Sequence, residues 1–275
     1  MPELPEVETI RRQLEPRLSG RTFEAGDAHP STKFSPALDA LGAMVTGVDR
    51  RGKYLLIGLD DDRELVAHLG MTGSFHFAAA GDATHPPACA DHDPYVRAVW
   101  RLDNGEELVF RDVRRFGRLR VVPAGDYTEI PTLRTIGPEP LTSGFDGRSL
   151  VEAVRKSSRP IKTQLLSQRP VAGVGNIYAD EALFLARIHP QSRRLGRARA
   201  DRLARALKQV LQSGIDHGGT TLRDYVNADG AIGSNQHELM VYGRAGEPCP
   251  VCGHELASRV IDARTATFCR RCQRP

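Results

Sequence analysis

The stretch RPVAGVGNIYADEAL, residues 169–183, decides between two different folds. Gly173-x-Gly175 suggests a dinucleotide-binding turn, which needs a strand before the glycines and a third glycine after them. The preceding segment IKTQLLSQ (161–168) is instead helical in pattern, and no glycine follows at the required place. Asn176 is a favoured N-cap for a helix over NIYADEALFLARI (176–188), and the glycines let the backbone before it turn its N–H groups outward. Such a turn binds an anion at a helix N-terminus. Helix, glycine turn and helix point to a reader of nucleic-acid backbone.

The surrounding charge fits that expectation. Residues 147–275 hold 21 Lys/Arg against 11 Asp/Glu, a net +10, whereas residues 1–146 hold 17 against 23, a net −6. A basic half suits a polyanion, and arginine, which dominates the basic set, suits phosphate oxygens. A solubility charge is the plainer alternative. Two more helical patterns flank the glycine turn, SLVEAVRKS (149–157) and ADRLARALKQVLQSGI (200–215). The second carries apolar residues at 203, 206, 207, 210, 211 and 215, an amphipathic stripe.

Downstream lies CPVCGHELASRVIDARTATFCRRC, residues 249–272. Two residues separate Cys249 from Cys252 and Cys269 from Cys272, with sixteen between the pairs. Two knuckles so spaced close four thiolates around one structural zinc ion. Two disulfides are the alternative, but nothing marks the chain as secreted, and cytosolic disulfides are rare. SRVIDARTATF between the knuckles alternates around a turn and reads as a two-stranded hairpin. Arg264 falls near its tip, where it reads either as a phosphate contact or as an ordinary surface arginine. Cys89, the fifth cysteine, is expected to be a free thiol.

Upstream the texture changes. YLLIGL (54–59), ELVAHL (64–69), YVRAVWRL (95–102) and ELVFRDV (107–113) are strand-like, with Asp103-Asn104-Gly105 as a hairpin turn. A β-sandwich or barrel is expected, with residues 78–94 as a loop. Ahead of it, Leu4, Val7, Ile10, Leu14 and Leu18 mark a helix over 3–18 that Gly20 stops. The Pro-, Gly- and Thr-rich stretch 123–147 reads as a linker. The expected organisation is a β-rich domain at 1–130, linker at 131–147, helical domain at 148–240 and finger at 241–275. With 275 residues the chain suits two modest domains. It has no apolar run of the ~18 residues that would span a bilayer, and no basic-then-apolar leader pattern. A cytoplasmic monomer without membrane attachment is the default expectation.

Taken together, PELPEVE at the N-terminus, RGKYLL (51–56), HLGMTGS (68–74), RRFG (114–117), GVGNIYADEALF (173–184) and the four-cysteine finger resemble the formamidopyrimidine-DNA glycosylases. The match runs along almost the whole chain. It implies an α+β fold: an N-terminal β-sandwich with a leading helix, a C-terminal helix-two-turn-helix domain and a β-hairpin zinc finger. It implies a bacterial base-excision enzyme, nucleoid-associated when bound to damaged double-stranded DNA. Such an enzyme removes oxidised purines, 8-oxoguanine and ring-opened formamidopyrimidines, then cleaves the strand by β,δ-elimination.

By that resemblance Pro2, once Met1 is removed, is the nucleophile that forms a Schiff base at C1′. An α-amino group titrates near ~8 and a lysine near ~10.4, so the terminal amine holds more free base at neutral pH. Glu3 is its acid or base partner, and Glu6 either faces the site or caps the helix. Lys53 contacts phosphate and donates a proton during β-elimination. Arg264 binds phosphate and serves δ-elimination, and Asn176 and Lys162 hold flanking phosphates. Met71, Arg114 and Phe116 fill the gap left by the extruded base, a step the chemistry requires because C1′ is inaccessible while the base stays stacked. His92 corresponds to a DNA-contacting histidine of the family. From residue type alone, Met71 and Phe116 would be core residues and Lys53 a solvated strand end.

The chain departs from the family at Val113, where proline is usual, and at Ser234-Asn235, where many relatives carry an aromatic residue. The second departure bears on base contacts in loop 228–239. Two rivals make different demands. Endonuclease VIII-like enzymes for oxidised pyrimidines usually begin PEGPE and lack the Met/Arg/Phe set. A non-catalytic zinc-finger DNA binder would need the basic half and the finger but not Pro2 with Glu3.

Overall fold

The computed structural model describes residues 2–79, 87–91, 93–223 and 225–274. His92, expected to contact DNA, lies outside the described residues. The chain divides into two compact units. One runs up to Leu133 and includes Gly218–Ser234; the other comprises Arg134–His217 and Asn235 onward.

The first unit opens with helix α1 (Leu4–Leu18), N-capped by Glu3 and with Pro5 in its first turn. Its five apolar positions, Leu4, Val7, Ile10, Leu14 and Leu18, are all fully buried, so the helical spacing marks the packed face. Among the described residues eight strands follow: β1 (Phe23–Ala28), β2 (Val45–Arg51), β3 (Tyr54–Leu59), β4 (Arg63–His68), β5 (Gly73–Ala78), β6 (Val96–Leu102), β7 (Glu107–Asp112) and β8 (Arg118–Pro123). They form two antiparallel four-stranded sheets, ordered β1-β6-β7-β5 and β2-β3-β4-β8. The expected hairpin turn joins β6 to β7, with Gly105 at φ +86°. Phe23, Phe34, Phe75, Trp100 and Phe110 share one core with Leu14 of α1 and Leu55, Ile57 and Leu65 of the second sheet. Alternation along β3 puts Leu55, Ile57 and Leu59 inward and the residues between them outward.

Residues 218–234 belong to this unit through α1. Glu6 Oε1 accepts the Thr220 N–H at 2.7 Å, Gln13 Oε1 accepts the Ala228 N–H at 2.8 Å, and Gln13 Nε2 donates to Asp229 at 2.6 Å. Gly233 lies so close to Gly219 that a Cβ there would sit 2.0 Å from the Gly219 carbonyl oxygen. The segment is thus a folded-back loop tied to the first helix.

The short helix α2 (Pro131–Arg134) spans the boundary between the units, and the second unit holds α3 (Gly147–Val154), α4 (Ile161–Leu166), α5 (Asn176–Leu185) and α6 (Arg197–Asp216). Asp146 caps α3 by accepting the Ser149 N–H at 2.8 Å. All six stripe positions of α6 are buried. The finger's hairpin is β9 (Ala257–Ile261) and β10 (Arg264–Phe268), joined by Asp262 and Ala263, both at positive φ, as a tight two-residue turn requires. No helix among the described residues is long and apolar enough to cross a membrane.

Candidate active site and nucleic-acid interface

Pro2 and Glu3 are buried at the head of α1. Glu6, one turn on, accepts the Glu3 N–H through Oε2 at 2.7 Å while its Oε1 takes Thr220. Its carboxylate is therefore committed to capping and to holding the 218–234 loop, the capping alternative of the two that the sequence left open. Lys53 sits in the β2–β3 turn behind Gly52, whose φ is +58°, and is only 7% exposed rather than a solvated strand end. The Glu8–Arg50 ion pair at 3.0 Å ties α1 to β2 three residues before Lys53. Beyond the turn, the His68 ring lies 4.8 Å from the Tyr54 ring, and its Nδ1 accepts the Gly70 N–H at 3.1 Å. Burial first, then the charges of Lys53 and Arg118, push His68 down to about 4, so it stays neutral and leaves the local positive field intact.

Met71 is partly exposed, Arg114 is exposed and Phe116 is 49% exposed, though residue type alone would place two of them in the core. Phe116 contrasts with Phe110, six residues earlier and fully buried. The Arg114 guanidinium lies 5.0 Å from the Phe116 ring centre. Gly70, at φ +64°, faces Phe116 so closely that a Cβ would meet its carbonyl carbon at 2.4 Å. The two loops carrying the trio are thereby pressed together. Asp112, fully buried, locks them: Oδ1 accepts the Thr72 hydroxyl at 2.6 Å and Oδ2 the Gly117 N–H at 2.7 Å. Thr72 Oγ1 in turn accepts the Arg114 N–H at 3.0 Å.

In the second unit Asn176 is the first residue of α5, with Gly175 as N-cap, one position earlier than expected. Gly173 has φ +79°, and Gln168 pins the turn, accepting the Gly173 N–H at 2.7 Å and donating to the Val174 carbonyl. Lys162 does not present its ammonium to the surface. It is completely buried, 2.7 Å from Asp180 Oδ1 and 2.7 Å from the Thr265 carbonyl. Its charge is already satisfied inside the unit, an arrangement that leaves no exposed ammonium for the phosphate contact expected of it. Desolvation raises the Asp180 carboxyl to about 6 even with Lys162 beside it. Asn235, at the departure from the family, is also buried; its amide reaches the Tyr178 hydroxyl at 3.5 Å and its oxygen takes the Ser213 hydroxyl at 3.4 Å.

Arg264 is exposed, directly after the hairpin turn. The sulfur atoms of Cys249, Cys252, Cys269 and Cys272 all lie within 4.8 Å of one another, with 3.9 Å between Cys249 and Cys272 and 3.5 Å between Cys252 and Cys269. A zinc tetrahedron with ~2.3 Å bonds has edges of about 3.8 Å, so the four sulfurs fit one ion. The four thiolates hold a structural zinc with no open position. Sequence reading missed Asp112, Thr72, His68, Gln168 and Asp180. Each works by reaching backbone or a buried partner distant in sequence, which periodicity does not register.

Comparison with known proteins agrees with this geometry. Family models match residues 1–119 as "Formamidopyrimidine-DNA glycosylase N-terminal domain", 136–226 as "Formamidopyrimidine-DNA glycosylase H2TH domain" and 246–275 as "Zinc finger found in FPG and IleRS". The formamidopyrimidine-DNA glycosylase of Thermus thermophilus is 46% identical over 99% of this chain and 98% of its own. That of Deinococcus radiodurans is 43% identical over 99% and 97%. The crystal structure of the Thermus thermophilus MutM (Fpg) protein superposes with a TM-score of 0.89 at 45% identity, covering 99% of this chain and 98% of that one. Lactococcus lactis Fpg, solved with DNA containing N7-benzyl-Fapy-dG, superposes at 0.86 with 36% identity and full coverage of both chains. Domain order, fold and finger coincide with these relatives over nearly every residue, and the chain belongs to the formamidopyrimidine-DNA glycosylase family.

Proposed function

We propose that this chain is a bifunctional DNA glycosylase and abasic-site lyase acting on oxidised purines in double-stranded DNA. The observation that carries the proposal is the head of α1, where Pro2 and Glu3 are buried and the loop at 218–234 is fastened to the same helical turn by Glu6. A helix start serving stability alone has no need of that loop. Lactococcus lactis relatives were solved with Fapy-dG DNA, as a mutant protein, and with abasic-site DNA, which supports the same substrate class here.

With Met1 removed, the Pro2 amine attacks C1′ as the C1′–base bond breaks and the base leaves with a proton. Glu3 transfers protons as the sugar ring opens, leaving an iminium that acts as an electron sink. Loss of the C2′ proton expels the 3′ phosphate. Loss of the C4′ proton then expels the 5′ phosphate, and water frees the amine. Lys53 donates the proton that accompanies the first elimination and Arg264 supports the second. Met71, Arg114 and Phe116 occupy the vacated stack, and Asn176 at the α5 N-terminus takes a phosphate. Lys162 has no part in phosphate contact. The zinc holds the hairpin that carries Arg264. We place the enzyme in the cytoplasm as a monomer, on the nucleoid when bound to DNA.

Borohydride trapping tests the proposal on duplexes carrying 8-oxoguanine, a ring-opened purine or an oxidised pyrimidine. A covalent adduct is expected with the two purine lesions and is lost in Pro2→Gly. An adduct with the pyrimidine alone would assign the endonuclease VIII-like specificity instead, and none with any lesion would leave a silent DNA binder.

A further inference from the structure

The buried ion pair of the second unit lies beside the finger strand that carries Arg264. Lys162 Nζ donates to the Thr265 carbonyl at 2.7 Å, and Asp180 accepts the Thr267 N–H at 3.0 Å. Thr265 and Thr267 are alternate residues of β10, so the pair grips one edge of that strand at two successive points. Within the turn, Asp262 accepts from Arg159 Nη2 at 3.0 Å and from the Thr163 hydroxyl on α4. Arg264 lies between these holds, two residues from Asp262 and one from Thr265, with its own side chain exposed. Both units of the pair come from the helix-two-turn-helix: Lys162 from α4 and Asp180 from α5.

Burying an ammonium and a carboxylate is costly even when they meet, and apolar residues of similar volume often stabilise more. What the charged pair supplies that apolar residues cannot is a directed bond from each partner to the backbone of β10. We propose that Lys162 and Asp180 are positioning residues that set the Arg264 guanidinium for the second elimination. This inference rests on the role given to Arg264 above, and it replaces the phosphate contact expected of Lys162.

The test uses the full zinc-loaded chain on a duplex with a preformed abasic site, in single turnover, and reads the ratio of β,δ- to β-elimination products. Asp180→Asn, and Lys162→Met with Asp180→Leu, are each expected to slow the second step at least about tenfold relative to the first, within the ~10²-fold that an ångström of misplacement can cost. Borohydride trapping at Pro2 stays at the wild-type yield in both. The double variant separates positioning from folding. It removes the unbalanced charge and recovers thermal stability, yet it lacks both groups that reach β10, so its product ratio stays low. A ratio that recovers along with stability overturns the proposal. So does a Lys162→Met variant that keeps its product ratio but binds DNA with a shallower salt dependence, the signature of a lost phosphate contact. Wild-type protein that traps on the abasic duplex yet never gives the δ product overturns the parent role of Arg264, and that outcome is read before any variant is made.

Discussion

The sandwich unit buries Phe23, Phe34, Phe75, Trp100 and Phe110 in one continuous apolar core, whereas the finger packs Val241 and Leu256 with its own Cys249 and Cys269 against Phe184 of α5. Ordering costs roughly 1–2 kcal/mol per residue, and so small an apolar cluster cannot offset that cost for a segment of this length. The finger makes up the difference with links of another kind. Four thiolates take a metal, and the adjacent carboxylates of α5 reach out of the helix: Asp180 to β10, and Glu181 to the N–H groups of Met240, Val241 and Tyr242 at 2.9, 2.9 and 2.8 Å. The sandwich is held by many weak contacts and the finger by a few strong ones. Single chemical changes should therefore act on the two unequally.

Metal removal is the largest expected effect. A strong chelator should unfold the finger and abolish tight DNA binding, while the sandwich keeps its own thermal transition. Calorimetry with and without chelator, alongside DNA titration, checks this; full DNA affinity after complete zinc loss would overturn the finger's role. Next comes Glu181→Ala, which strands one buried and two partly buried N–H groups and should cost about 2–4 kcal/mol. Denaturant melts should show that loss in the second unit alone. A loss below ~1 kcal/mol would mean that water replaces the carboxylate and that the link is dispensable.

The same contrast explains what was legible in the sequence. The packed face of α1, strand β3, the Asp103-Asn104-Gly105 turn and the stripe of α6 all follow from periodicity, because burial of a regular element repeats at its own period. The finger was legible from cysteine spacing, because four ligands around one ion fix the geometry almost alone. Lys162 shows where this stops. Its neighbours in sequence give no hint that it is fully buried, since Asp180 and Thr265 reach it from distant parts of the chain. Glu6 is similar: its partner Thr220 comes from the far side of the second unit's helices in sequence, so its two alternatives stayed open until the loop was placed.

Within the sandwich, the sharpest exception to weak, distributed contacts is Asp112. Asp112→Asn keeps the shape but removes the charge behind the bonds to Thr72 and Gly117, and should cost about 1.5–3 kcal/mol. It should also slow excision of a paired lesion more than cleavage of a preformed abasic site, because loops 70–72 and 113–117 then hold Met71, Arg114 and Phe116 less firmly. Equal slowing on both substrates would confine Asp112 to stability.

The smallest expected effect concerns His68. Its folded pKa, near 4, lies below the usual 6.5, with burial as the first cause and Lys53 and Arg118 behind it. The neutral ring accepts the Gly70 N–H, so protonation would put a third positive charge beside two others and remove that acceptor. Below pH 6.5 the unfolded chain binds a proton that the fold refuses. The contribution is therefore complete above pH 6.5 and is lost as pH falls toward 4. Between pH 7 and pH 5 the loss should be about 1–2 kcal/mol. His29 is also shifted down by burial, so the wild-type slope has more than one source, and the difference between wild type and His68→Gln is the informative quantity. Glutamine keeps an acceptor for Gly70 but cannot titrate, so the sandwich transition of the variant should fall less steeply with acid than that of the wild type. Parallel slopes would show that His68 takes up its proton as readily in the folded protein as in the unfolded chain, and that burial and the charges of Lys53 and Arg118 do not depress it.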